Sequence, residues 1–135
     1  MHMLRHVVDY YTGEEEDFFQ AIRNYVANPD FKFGNTLSED FQSEVEAVAG
    51  ADLSTFFTQW LYWIDRPDYE WGWSSRNQGG NNVIDLVINQ TQSGNAYEMP
   101  IDMEVEFVGG ETEIFKVLNT QKTQNFTLDL GSRVP

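Results

Sequence analysis

The sequence predicts an α+β fold: an N-terminal helical bundle of about four helices, then an antiparallel β-sandwich of about five strands. Three observations carry this. Apolar residues recur at helical spacing as far as Ile64, Pro67 interrupts the chain, and beyond it the apolar period falls to two. All four tryptophans lie in DLSTFFTQWLYWIDRPDYEWGW, residues 52–73, where the change occurs. The expected division is a helical part over 1–67 and an immunoglobulin-like β-sandwich over 68–135.

Each helix has a face and a stop. In LRHVVDYY, Leu4, Val7, Val8 and Tyr11 fall at i, i+3, i+4 and i+7, and Thr12-Gly13 ends the helix. The acid run EEED (14–17) suits the positive end of a second helix, whose face is Phe18, Ile22, Tyr25 and Val26. Asn28-Pro29 stops it, because the residue before a proline is pushed out of helical geometry. DFKFGN reads as a connector. Thr36 and Glu39 then have the spacing of a capping box, and Phe41, Val45 and Val48 continue a third helix to Gly50. Asp52 caps a fourth helix carrying Leu53, Phe56, Phe57, Trp60, Leu61 and Ile64.

The strands follow from alternation. A first begins near Tyr69; NVIDLVINQ then puts Ile84, Leu86 and Ile88 on one face. YEMPIDMEVEF alternates Tyr97, Met99, Ile101, Met103, Val105 and Phe107 with mostly acidic partners. Gly109-Gly110 reads as a two-residue hairpin turn, followed by EIFKVL and FTLDL.

Composition excludes several function classes. Eight Lys and Arg stand against 22 Asp and Glu, a formal net charge of −14, which repels phosphate backbones and anionic lipid surfaces. Nucleic-acid and membrane partners are therefore not expected, and no apolar run approaches the roughly 20 residues of a membrane span. Cysteine is absent, which removes disulfides, thiolate zinc sites and cysteine nucleophiles.

Few residues suggest chemistry. His2 and His6 in HMLRH have the i, i+4 spacing of a zinc-peptidase helix, but Met3 replaces the glutamate that would act as general base, and no third ligand is patterned. Both lie, with Asp9, opposite the Leu4/Val7/Val8/Tyr11 face, where histidines are more often simply solvated. Tyr69, Trp71 and Trp73 share one face of a strand. Such a strip can stack on sugars; the commoner fate of clustered aromatics is burial, here with Trp60 and Trp63 at the junction of helices and strands. The EEED acids fit a solvated helix start rather than a calcium loop. Asn89-Gln90-Thr91 and Asn125-Phe126-Thr127 fit the glycosylation sequon, a pattern that arises often by chance. No P-loop, GxSxG or GxGxxG is present, so no catalytic, cofactor-binding or metal residue is assigned.

The order of features resembles the tail of the catalytic domain in M1-family (gluzincin) zinc aminopeptidases. The matching pieces are Met3-Leu4-Arg5, Gly13, Phe19 and Tyr25, Thr36 to Phe41, Gly50-Ala51-Asp52-Leu53 and Phe56-Phe57-Thr58-Gln59-Trp60, closing at Pro67. INQTQ and the later Met99-Pro100 are similar to the family's following sandwich domain. The resemblance implies a zinc-dependent exopeptidase that removes N-terminal residues from peptides. Its HExxH motif, later glutamate and catalytic tyrosine would all lie upstream of Met1, so none maps onto this sequence. The expectation is thus a non-catalytic C-terminal portion of such an enzyme, cut short near SRVP, with zinc held only in the parent. Its partners would be the upstream catalytic domain and, for the parent, peptide substrates. An apolar helix face left without that domain favours self-association. The alternatives are a scaffold without peptidase activity and a glycan- or protein-binding module.

Overall fold

A computed structural model describes residues 1–31 and 34–135; Lys32 and Phe33, inside the expected connector, lie outside the described residues. Four helices precede five antiparallel strands in two sheets, so the α+β architecture with a β-sandwich is as the sequence predicts. The chain divides into two compact units, Met1–Trp63 and Ile64–Pro135. The division falls ahead of the expected 67/68 boundary because the segment before the first strand is bonded to the sandwich. The Tyr97 hydroxyl donates to the Asp65 carbonyl, Thr91 N–H donates to the Asp68 carbonyl, and Asp68 N–H donates to the Gln92 side chain.

In the helical unit, α1 (His2–Thr12) buries Leu4, Val7 and Val8 and ends at Gly13 in the left-handed region, φ 79°. Helix α2 (Glu16–Ala27) buries Phe18 and Ala21, and its face is turned so that Val26 points to solvent. Glu16 and Asp17 occupy its first turn, and Arg23 reaches back to Glu16 at 2.9 Å. Helix α3 (Ser38–Ala49) starts one residue later than the Thr36–Glu39 spacing suggests. Leu37 is the cap residue, and the Asp40 carboxylate accepts its N–H at 2.8 Å, the half of a capping box that a leucine permits. In α4 (Ser54–Leu61) the Asp52 carboxylate accepts Ser54 N–H at 2.8 Å, which holds that carboxyl below its ordinary pKa. Only the first part of the α4 stripe is covered: Leu53 and Phe57 are buried, whereas Leu61 and Ile64 are exposed. The helix ends at Leu61, so Ile64 never joins its face.

In the sandwich unit, sheet A has order β1-β2-β5 and sheet B is the pair β3-β4, with β1 Tyr69–Gln78, β2 Asn81–Gln90, β3 Met99–Glu106, β4 Thr112–Asn119 and β5 Thr123–Asp129. The two-residue hairpin is at Gly79-Gly80, joining the paired residues Gln78 and Asn81. Both glycines have positive φ, 64° and 100°, which a turn matching the twist of a tight hairpin requires. Gly109-Gly110, expected to form such a turn, instead sits in a longer loop over 107–111, where Phe107 N–H donates to the Glu111 carbonyl at 2.8 Å. The core joins Ile84, Leu86 and Ile88 of β2 to Leu128 of β5, facing Val105 of β3 and Val117 of β4. These residues recur at every second position, which is why one face of each sheet is apolar.

Candidate functional site

Two features of the sandwich unit stand out: an open cleft at one flank and a buried amide cluster at one end. Directly opposed residues of an antiparallel pair share a face. Trp71 pairs with Ile88 and Trp73 with Leu86, so both tryptophans lie on the inner, core-forming face of sheet A. They are nonetheless 61% and 55% exposed. This corrects the expectation that the rings are buried. The reason is the count of strands among the described residues: sheet B has two against three in sheet A, and β4 lies beside β5, which leaves β1 without a covering strand there. The result is a cleft of about 260 Å³ between β1 and β3. Ile84, Leu86 and Leu128 form its floor and the two tryptophans one wall. Met103 stands on the other side, and Glu104 and Glu106 border the cleft from β3, whose alternation turns their side chains to the outer face of sheet B. No Lys or Arg lines it among the described residues.

Tyr69, the third aromatic of the strip, is 37% exposed and pairs with Gln90. Desolvation pushes its phenol up to about 12. Burial, then the Asp65 charge, also raises Tyr97. A folded-state pKa above the unfolded value means that this stability is fully present below pH about 10 and is lost as pH rises through the folded pKa. The sandwich unit is therefore expected to weaken progressively between pH 10 and 12, followed by urea unfolding at stepped pH. Tyr69→Phe should abolish the phenolate absorbance step near pH 12; a step of unchanged size there assigns it to another residue.

The amide cluster was not foreseen. Gln90 and Asn119 are buried polar residues at the ends of β2 and β4. The Gln90 amide nitrogen donates to the Tyr97 carbonyl and to Asn119 Oδ1, and its oxygen accepts Tyr97 N–H at 2.7 Å. Asn119 Nδ2 in turn donates to Gln124 Oε1 at 3.0 Å, which also accepts Thr120 N–H at 2.8 Å. Among the described residues every buried side-chain polar atom has a partner. The cluster fixes the loops at that end and offers no acid, base or nucleophile. The signal for it was a glutamine continuing the inward row Ile84, Leu86, Ile88, where an apolar residue is the usual occupant.

The other singled-out residues do not assemble. His2 is exposed and His6 half-buried on α1, and no three His, Cys, Asp or Glu side chains converge among the described residues. On the outer face of sheet A, Arg76 pairs with Asp85, which also accepts the Thr127 hydroxyl at 2.9 Å; those bonds hold Asp85 below its ordinary range. Asn125 of the second sequon is exposed on β5, and Asn89 of the first accepts the Thr123 hydroxyl. In the helical unit Met3, Tyr25, Leu37, Phe56, Trp60 and Leu61 surround an apolar depression of about 530 Å³.

Compared with known proteins, the chain matches no protein-family model and no curated protein. Its function is therefore argued from its own residues.

Proposed function

We propose that this chain is the non-catalytic C-terminal portion of an M1-like zinc aminopeptidase, bracing a catalytic domain that precedes it. The observation that carries the reading is the apolar depression of the helical unit. Met3, Leu37 and Leu61, all exposed, surround it together with Phe56 and Trp60. Exposed apolar depressions are places where another protein surface can pack, and the partner proposed for this one is the preceding domain. Its residues come from Met3, the Thr36-to-Phe41 segment and the Phe56–Trp60 segment, which also carry the resemblance to the peptidase family. Zinc and the groups that activate water would then belong to the preceding domain.

The test has two arms. The coding sequence upstream of Met1 should encode HExxH, a later glutamate and a tyrosine shortly before Met1; an upstream region without them leaves a scaffold or binding protein. The purified 135 residues should hydrolyse no aminoacyl substrate with or without added zinc, and should self-associate in light scattering. Replacing Leu37 and Leu61 with lysine should reduce that association. Zinc-dependent hydrolysis, or a strict monomer at high concentration, counts against the proposal.

A second reading, a binding module, is favoured by one observation: Trp71 and Trp73 stand exposed on a face that the fold otherwise buries.

A further inference from the structure

We propose that this chain forms a two-fold dimer by pairing β1 with β1 of a second copy, antiparallel and centred on Trp73. The proposal rests on the sandwich unit alone and does not depend on an attached peptidase domain.

Strand β1 is an edge with nothing to blunt it. Among the described residues it pairs only with β2, in an unbroken register over Tyr69–Gln78, and every residue but the half-buried Gly72 is exposed. Edge strands that stay single are usually short, bulged, or marked by proline or lysine. β1 is ten residues long and contains neither. Its ladder to β2 also shows which backbone groups are left over. The two-residue turn makes Gln78 and Asn81 a hydrogen-bonded pair, and such pairs recur at every second residue. Thr91 N–H donating to the Asp68 carbonyl keeps the same alternation at the other end. The N–H and C=O groups of Tyr69, Trp71, Trp73, Ser75 and Asn77 therefore point to the open edge.

Charge selects a second copy and fixes its register. An added strand must set these outward groups against its own, and a second β1 does so with Trp73 opposite Trp73. That register matches the strands over 69–77 and places Glu70 opposite Arg76 of the second copy, twice by symmetry. Centring on Gly72 or Ser74 instead sets Glu70 against Ser74 or Gln78, and neither charge then has a directly opposed partner. Glu70 is exposed and makes no ion pair among the described residues. Arg76 holds Asp85 and Gln78 on its own sheet and keeps N–H donors over for Glu70. On the inner face, Trp73 meets Trp73, and Trp71 of each copy lies diagonal to Trp73 of the other. Four rings that stand in solvent in separate copies thus cover one another, along a self-complementary interface. The formal net charge of −14 on each copy opposes approach at long range. At about 0.15 M salt the screening length is about 8 Å, which damps that repulsion more than it damps charges in contact.

The test follows the whole chain by analytical ultracentrifugation over a range of concentrations in that salt. It is run in the parent and with Leu37→Lys and Leu61→Lys, which set apart association through the helical depression. A monomer–dimer equilibrium should persist with both lysines present. Amides of Trp71, Trp73 and Ser75 should gain hydrogen-exchange protection as concentration rises, while those of Gly72 and Ser74, already bonded to β2, should not. Ser75→Pro removes only an edge-facing N–H and should abolish the dimer. Glu70→Arg sets arginine against Arg76 and should weaken the dimer roughly tenfold or more. Both positions are exposed, so both variants should keep the parent's far-ultraviolet circular dichroism; if Ser75→Pro loses the sheet, Glu70→Arg decides alone. The proposal is overturned by a chain that stays monomeric to about 1 mM, or by a dimer that Glu70→Arg leaves intact. Association that disappears with the two lysines alone also overturns it, and leaves the helical depression as the interface.

Discussion

Gln90→Leu is expected to destabilise the sandwich unit by about 4 kcal/mol. Gln90 is 4% exposed, and its amide bonds the N–H and C=O of Tyr97 and the side chain of Asn119. Leucine has nearly the same volume but satisfies none of them. Each buried polar group left without a partner costs about 1–3 kcal/mol, and three such groups with partial relaxation give the total. A unit of this size has roughly 4–10 kcal/mol in all, so the change removes much of it. Urea unfolding followed by Trp71 and Trp73 emission measures the shift. Gln92→Ala, at a half-exposed neighbour that donates to Gln90 Oε1 at 2.8 Å, should cost less, about 1 kcal/mol, because that oxygen keeps the Tyr97 N–H. Equal midpoints for Gln90→Leu and the parent chain would mean that water already replaces the glutamine.

Phe57→Ala is expected to unfold the helical unit, or to leave it without fixed packing. Phe57 is buried on α4, and its ring meets Phe41 of α3 edge-on with centroids 6.4 Å apart. Truncating a buried phenylalanine costs about 3–5 kcal/mol through lost transfer energy and the cavity left behind. The ring already borders the apolar depression, so the lower end, about 3 kcal/mol, applies. A unit of about 60 residues buries only about 60% of the surface its unfolded chain exposes, less than a larger domain does, and is marginal to begin with. Loss of helical circular dichroism below the parent's midpoint, with the sandwich transition unmoved, is the expected signature. Phe57→Leu should cost much less, and an unchanged helical transition in Phe57→Ala would show that α4 contributes little to that core.

The elements were legible in the sequence for local reasons. Gly13 and Gly50 end α1 and α3 because both adopt positive φ, and Asn28 leaves helical geometry ahead of Pro29. The inward row Ile84, Leu86, Ile88 is set by the two-residue period of a strand. Where local signals compete, position slipped. Thr36–Glu39 and Leu37–Asp40 both offer a start for α3, and the second wins although only one of its two side chains can cap. Gly79-Gly80 and Gly109-Gly110 are the same dipeptide. Only the first closes a two-residue turn, because a turn is set by the register of its flanking strands as well as by its own glycines.

Exposure depends on which strands cover which, and no local pattern records that. Trp71 and Trp73 have the spacing, size and neighbours of core residues. They stand in solvent because sheet B supplies two strands to cover three. Gln90 is polar at the end of an inward row, and it stays buried because Tyr97, seven residues on, and Asn119, from β4, arrive with matching donors and acceptors. By itself the sequence determined where each helix and strand lies and which of its faces is apolar, since both follow from neighbours a few residues away. The tertiary structure alone decided which apolar faces remain open, because covering a face takes a second element from elsewhere in the chain, and along β1 none arrives among the described residues.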